Sequence, residues 1–180
     1  MKRGRKRKPG KREPNGRIAR AAIDRGTDRV QAMQAIYGTD GCDAIGRAYR
    51  SGLLGTGQDA KATLDTARRI SKAYWAAYGI GGAFCTLGER TGSGSSDGHK
   101  AREDWLEDCL RVANWFGRTH RSHFDALVID INPDSGPAWL DRLCLRARAN
   151  GDPRPSDLTA LACALEVLQH LAGVGERLAA

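Results

Sequence analysis

The sequence predicts a mainly α protein: a bundle of about seven helices behind a disordered basic N-terminal tail. Three observations carry this. Apolar residues recur at spacings of three and four along most of residues 17–172, the period of one helix face. Gly, Pro, Asp and Ser clusters interrupt that pattern near residues 26, 55–57, 79–82, 91–100 and 132–136, as helix ends and turns require. Only "ALVIDI", residues 126–131, has strand composition. It lacks a partner run, so it too reads as helix.

Each element follows from its own stripe. A helical pattern starts at Arg17 with Ile18, Ala22 and Ile23 and halts at Gly26; Val30, Met33, Ile36 and Tyr37 resume it. A short helix carries Ile45, Ala48, Tyr49 and Leu53 and is closed by Gly55 and Gly57. From about Asp59 to Tyr78, Leu64, Ala67, Ile70, Tyr74 and Ala77 form one stripe, with Lys61, Asp65, Arg68, Arg69 and Lys72 off it. "TGSGSSDGHK", residues 91–100, reads as a loop or linker. Beyond it lie stripes at Trp105, Leu106, Cys109, Val112, Ala113 and Phe116, then at Phe124, Leu127, Val128 and Ile131. Pro137 is placed at a first helical position ahead of Leu140, Leu143, Cys144 and Ala147. Ser156 is placed as the N-cap of a last helix bearing Leu158, Leu161, Leu165, Leu168 and Ala172. The organisation is therefore a disordered tail at 1–16, an N-terminal helical part at 17–90, a Gly/Ser-rich loop or linker at 91–99 and a C-terminal helical part at 100–180. The two parts form one domain or two packed halves meeting near residue 91.

Composition sets the bounds. With 180 residues, 41% of them hydrophobic, the chain is long enough for a real core. No apolar run approaches the roughly 18–20 residues that cross a bilayer, and no apolar segment follows the basic head as a secretory signal would require. The expectation is a cytoplasmic protein of a bacterial host that makes no membrane contact. Five cysteines, Cys42, Cys85, Cys109, Cys144 and Cys163, are widely spaced without a CxxC pair. They read as buried free thiols.

Charge is the informative feature. The chain carries 29 Lys+Arg against 21 Asp+Glu. Residues 1–20 hold ten of those cations (Lys2, Arg3, Arg5, Lys6, Arg7, Lys8, Lys11, Arg12, Arg17 and Arg20) and one acid, Glu13. That leaves 19 basic and 20 acidic residues beyond position 20. The arm is basic and the body is neutral. An arm of this density attracts a polyanion: DNA first, RNA as the other nucleic acid, with an import signal or a plain solvated charge run as the bland readings.

Other motifs lead away from enzymology. "GSSDG", residues 94–98, fits G-x-S-x-G with Ser96 in the nucleophile slot, but no strand precedes it to form the required elbow. His120 and His123 form an i, i+3 pair without a third ligand at metal spacing. With Arg118 and Arg121 beside them, they read as a polar face toward phosphate or solvent. Asp104, Glu107 and Asp108 read as acids of a helix N-terminus, and Asp130 and Asp134 as turn formers. Trp75, Trp105, Trp115 and Trp139 all lie on or beside apolar stripes and read as core. No P-loop or dinucleotide fingerprint is present. The expectation is no catalytic residue, no metal and no cofactor.

Two resemblances sharpen this. "KRGRKRKPG" places Arg3-Gly4-Arg5 among further cations and resembles the AT-hook, whose Arg-Gly-Arg centre lies in the narrow minor groove of A·T-rich DNA. Lys6 stands where the hook has proline, and proline arrives at Pro9. The "KRGRKRK…PNGRI" head ahead of a helical body resembles small proteins of alphaproteobacterial phages and prophages. The segments "DAIGRAYRSGLL", "HFDALVIDINPDSGPAWLDRLC" and "SDLTALACALEVLQHLA" are similar in layout to the C-terminal helical domain of the activators that switch on gene transfer agents. This resemblance implies a DNA-associated transcription regulator, activator or antiterminator-like, with RNA polymerase or another protein as partner of the helical body. The alternatives are a small terminase-like packaging protein and a phage inhibitor of a host nucleic-acid-binding enzyme. Oligomeric state is not specified by the sequence.

Overall fold

The cleanest apolar stripe in the sequence gives the longest helix. In a computed structural model, which describes residues 28–78, 96–129 and 136–174, α3 (Gly57–Tyr78) is accompanied by six others and packs on the second, fourth, fifth and seventh helices. The six are α1 (Asp28–Tyr37), α2 (Ala44–Arg50), α4 (Ser96–Trp115), α5 (Arg118–Val128), α6 (Ala138–Arg148) and α7 (Pro155–Leu171). A 3₁₀ turn, Gly38–Cys42, joins α1 to α2. No strand occurs among the described residues. The run at 126–131 is helical through Val128 and turns at Ile129; residues 130–135 lie outside the described residues, as do the tail at 1–16, the first helical pattern at 17–26 and residues 79–95.

The core is one cluster. Ala60, Leu64, Ala67, Ile70 and Ala73 of α3 are buried together with Ile45 and Ala48 of α2, Leu106, Cys109 and Ala113 of α4, Phe124 and Leu127 of α5, Leu140 and Cys144 of α6, and Ala164, Val167 and Leu168 of α7. Segments before and after residue 91 thus share a single interior. Alanines 48, 67, 113 and 164 have no exposed surface, and such small side chains let helix axes approach closely. α1 buries none of its residues and joins the bundle at its end, through Tyr37 and the 3₁₀ turn.

Charged side chains fix the helix junctions. Arg68 of α3 donates to Asp43 at 2.8 and 3.2 Å and to Asp40 at 3.1 Å, so it clamps the 3₁₀ turn and the N-cap of α2 onto α3. Asp43 is also that N-cap, accepting from the Gly46 N–H at 2.7 Å. Gly46 is obligatory here for space: a methyl group would collide with the Asp40 carbonyl oxygen, the Asp43 carboxylate and the Arg68 guanidinium. Arg47, the largest fully buried side chain, faces Asp141 of α6 at 3.8 Å. Arg142 of α6 forks onto buried Asp157 of α7 at 2.9 and 2.6 Å.

Several local expectations are corrected. Residues 96–99, placed in the loop, form the first turn of α4. Asp104, Glu107 and Asp108 consequently sit in mid-helix, because the helix starts eight residues before Asp104. Pro137 is the N-cap residue, one position outside α6. In α7 Pro155 takes the first helical position, where its missing N–H costs nothing, so Arg154 is the N-cap and Ser156 lies inside. Leu53 falls in the turn after α2. Leu158 is exposed on the first turn of α7, and Ala147 is exposed near the end of α6. Trp115 is 79% exposed: it lies beside the stripe, on the side of α4 opposite buried Ala113, while Phe116 continues the stripe against the core.

Two outcomes follow from the clamp. Gly46→Ala is expected to lower unfolding free energy by about 1–3 kcal/mol in urea titration, the range for overpacking a filled site; an unchanged midpoint would remove the close approach from the account. The Arg68 hydrogen bond holds the Asp40 carboxyl below its ordinary value, with Arg50 assisting. A depressed folded-state pKa stabilises above the unfolded value of about 3.9 and is lost as pH falls through the folded one. Arg68→Gln is therefore expected to destabilise at neutral pH by on the order of 2 kcal/mol and to flatten the stability profile between about pH 5 and pH 2. A parallel profile would exclude this origin.

Candidate nucleic-acid interface

The ten arm residues (Lys2, Arg3, Arg5, Lys6, Arg7, Lys8, Lys11, Arg12, Arg17 and Arg20) lie outside the described residues. The site built here is therefore what the body adds. Eight of its carboxylates are engaged internally. Beyond the clamp, Arg50 holds Asp40 at 2.7 Å, Lys61 holds Asp65 at 2.9 Å and Arg111 holds Asp108 at 2.6 Å. Arg121 meets Asp125 at 2.7 Å, Arg29 meets Asp141 at 3.6 Å, and His120 Nε2 lies 3.1 Å from Glu166.

The cations left over are not scattered evenly. A groove of about 390 Å³ opens between α3 and α4. Arg69 and Lys72 line it from α3, and Arg102 from α4. Among the described residues, none of the three makes an ion pair and no carboxylate lines the groove. Its floor is made by small residues, Ala73, Ala76, Gly98 and Ala101, which is why a groove exists where two helices meet. At one end the Arg69 guanidinium lies over the Trp105 ring, 4.0 Å from its centroid. Stacking uses the faces of both groups and leaves the N–H edge of the guanidinium directed outward. Gly98 lies in the first turn of α4, where backbone N–H groups have no helical partner and the dipole is positive.

Other clefts differ in chemistry. Between α6 and α7, Arg142, Arg146 and Arg154 line about 260 Å³, but Asp157 lines it too and engages Arg142. Between α3 and α5, Tyr74, Trp75 and Tyr78 line about 450 Å³ with Arg121 and Asp125, already paired with each other. That pairing corrects the expected polar face at the histidines. Arg121 turns inward to Asp125, the Leu110 carbonyl and Asn114. His120 packs near Phe116 and Glu166, whereas His123 stands edge-on to Trp139, 6.2 Å between centroids. The two rings serve different partners and share no ligand. Among the described residues, no group of three or more His, Cys, Asp or Glu is placed to hold a metal.

The thiols sort by burial. Cys109 is pushed up to about 11 by burial, and burial raises Cys144 as well. Both stay protonated and unreactive at neutral pH. Cys42 and Cys163 are partly exposed and free. Cys85 and Asp130 and Asp134 lie outside the described residues.

Sequence reading placed Arg69 and Lys72 on a solvated face and Trp105 in the core, and it gave Arg102 no role. The signal it lacked is tertiary: nothing in either helix alone states that these faces meet. Comparison of the chain with protein-family profiles, curated proteins and solved structures gives no match. None of the described helices is long and apolar enough to cross a membrane.

Alkylation checks the burial assignment. At about pH 8 the folded protein is expected to react at Cys42 and Cys163 and to spare Cys109 and Cys144 until urea is added. Peptide mapping that finds Cys109 labelled as fast as Cys163 in the folded state would contradict it.

Proposed function

We propose that this chain is a DNA-binding regulator, not an enzyme: the basic arm holds DNA, and the neutral helical body docks on the transcription machinery or another protein. The observation that carries the reading is the division of charge. Ten cations crowd the first twenty residues, and eight carboxylates of the body already have basic partners on the body itself. Part of the body's acid is thus neutralised on the body itself, and phosphate is the polyanion that suits arginine and lysine at this density. A transcription role is what the resemblance to gene-transfer-agent activators implies. DNA is preferred to RNA because Arg3-Gly4-Arg5 fits a narrow A·T-rich minor groove.

A gel shift over a salt series tests this. Full-length protein is expected to bind duplex DNA with a log–log salt slope near −5 or steeper, as about six phosphate contacts give, and to prefer A·T-rich over G·C-rich duplex. Deletion of residues 1–16 is expected to remove most of the affinity. Equal retention by the two proteins would end the assignment of the arm.

A further inference from the structure

We infer that the groove between α3 and α4 is a phosphate-binding site, at which the body takes a phosphodiester of the same nucleic acid that the arm engages. The second half of the inference rests on the reading above; the first does not.

Four features converge. Arg69, Lys72 and Arg102 project into one groove from two helices, and none is neutralised by a carboxylate among the described residues. Elsewhere on the body, Arg47, Arg50, Arg68, Arg121 and Arg142 are held by acids. Arg146 and Arg154, which make no ion pair among the described residues, line a cleft that Asp157 shares. Three cations gathered without a described carboxylate set this groove apart from that cleft. Arg69 is held in place by Trp105, which lowers the entropy lost on binding while keeping its donors available. The first turn of α4 adds partial positive charge at the other end. The acids of α4 at 103, 104, 107 and 108 do not line the groove.

The shape also selects the ligand. The floor is alanine and glycine and the rim is cationic, so a ligand gains by lying along the rim as a backbone does. The charged side chains that line the groove among the described residues are all donors, and donors of this kind serve mostly phosphate oxygens, contacts that position a protein without reading sequence. The rim supplies three cationic donors and one aromatic face, as an oxyanion attached to a flat ring requires.

The test compares two full-length triple variants of equal charge change. Groove variant R69Q/K72Q/R102Q removes the three rim cations. Control variant K61Q/R111Q/R118Q removes three exposed cations outside it. Circular dichroism verifies that each keeps its helices. Binding of labelled duplex and single-stranded oligonucleotides is followed by anisotropy over a salt series, and tripolyphosphate binding by tryptophan fluorescence. The groove variant is expected to lose at least about tenfold in affinity near 100 mM salt and to reduce the duplex salt slope by about 2–3, since each phosphate contact contributes about 0.9. The control is expected to change neither by more than a small amount. Equal losses in the two variants would show that net charge alone matters and would overturn the site. So would a groove variant that binds like the wild type. If wild type binds no oligonucleotide but binds tripolyphosphate, and only the groove variant loses it, the groove stands as a free-phosphate site and the DNA-binding reading falls. If wild type binds DNA through the arm while the groove variant is unaffected, the reading stands and this inference falls.

Discussion

The interaction on which the arrangement depends is the grip of Arg68 on Asp40 and Asp43. One guanidinium reaches from the middle of α3 to the turn that starts α2 and to its N-cap carboxylate. Its donors satisfy two carboxylates that would otherwise sit poorly hydrated against the bundle. Fixing α2 on α3 fixes the rotation of α3 about its own axis. That rotation decides which residues turn inward and which outward. Arg68 faces the clamp; Arg69, about 100° further round, faces α4 and stacks on Trp105. Two adjacent arginines of the same helix therefore do opposite things: one builds the fold and the other is left for a ligand.

The same logic explains how a chain with strong net charge has a neutral body. Its arginines bridge junctions: Arg68 joins the 3₁₀ turn and α2 to α3, Arg47 faces α6, Arg142 joins α6 to α7, and Arg121 secures the turn between α4 and α5. Arginine suits this work because a planar fork engages a carboxylate bidentately and tolerates partial burial. Surface pairs such as Lys61 with Asp65 contribute little to stability. The pair of Arg142 with Asp157 joins a half-exposed guanidinium to a buried carboxylate. Removing Arg142 therefore leaves the charge of Asp157 without compensation.

Helix periodicity was legible because it is local. The stripes at Leu64, Ala67 and Ile70 and at Phe124, Leu127 and Val128 are buried where the spacing places them. Ends were less legible. Ser156 looked like a cap, but Pro155 competes for the start of α7 and its fixed φ decides the matter. Gly98 looked like loop, yet α4 begins two residues before it, since one glycine costs a helix only about 1 kcal/mol. Trp115 was misread for a different reason. It lies one position from the stripe residue Phe116 but about 100° round the helix from it, so a residue beside a stripe need not be covered. The groove was invisible for another reason: Arg69 and Arg102 are 33 positions apart, and each looks like a solvated cation on its own helix.

A three-cation groove binds weakly alone, and that is consistent with a body whose net charge is close to zero. Its effect depends on attachment to the arm. Once the arm is on a phosphate chain, the groove meets the same molecule at an effective concentration set by the connecting segment, in the millimolar range for short flexible links. A site with millimolar affinity then contributes severalfold to the whole, without any new contact in the arm. On this proposal it would also orient the body. Arm cations attract phosphate from any direction; cations held on two packed helices accept it along one line. Arg146 and Arg154, also without an ion pair among the described residues, share their cleft with Asp157, so on this proposal the groove between α3 and α4 would be the favoured line of approach for phosphate, and a protein partner would meet the body in one presentation.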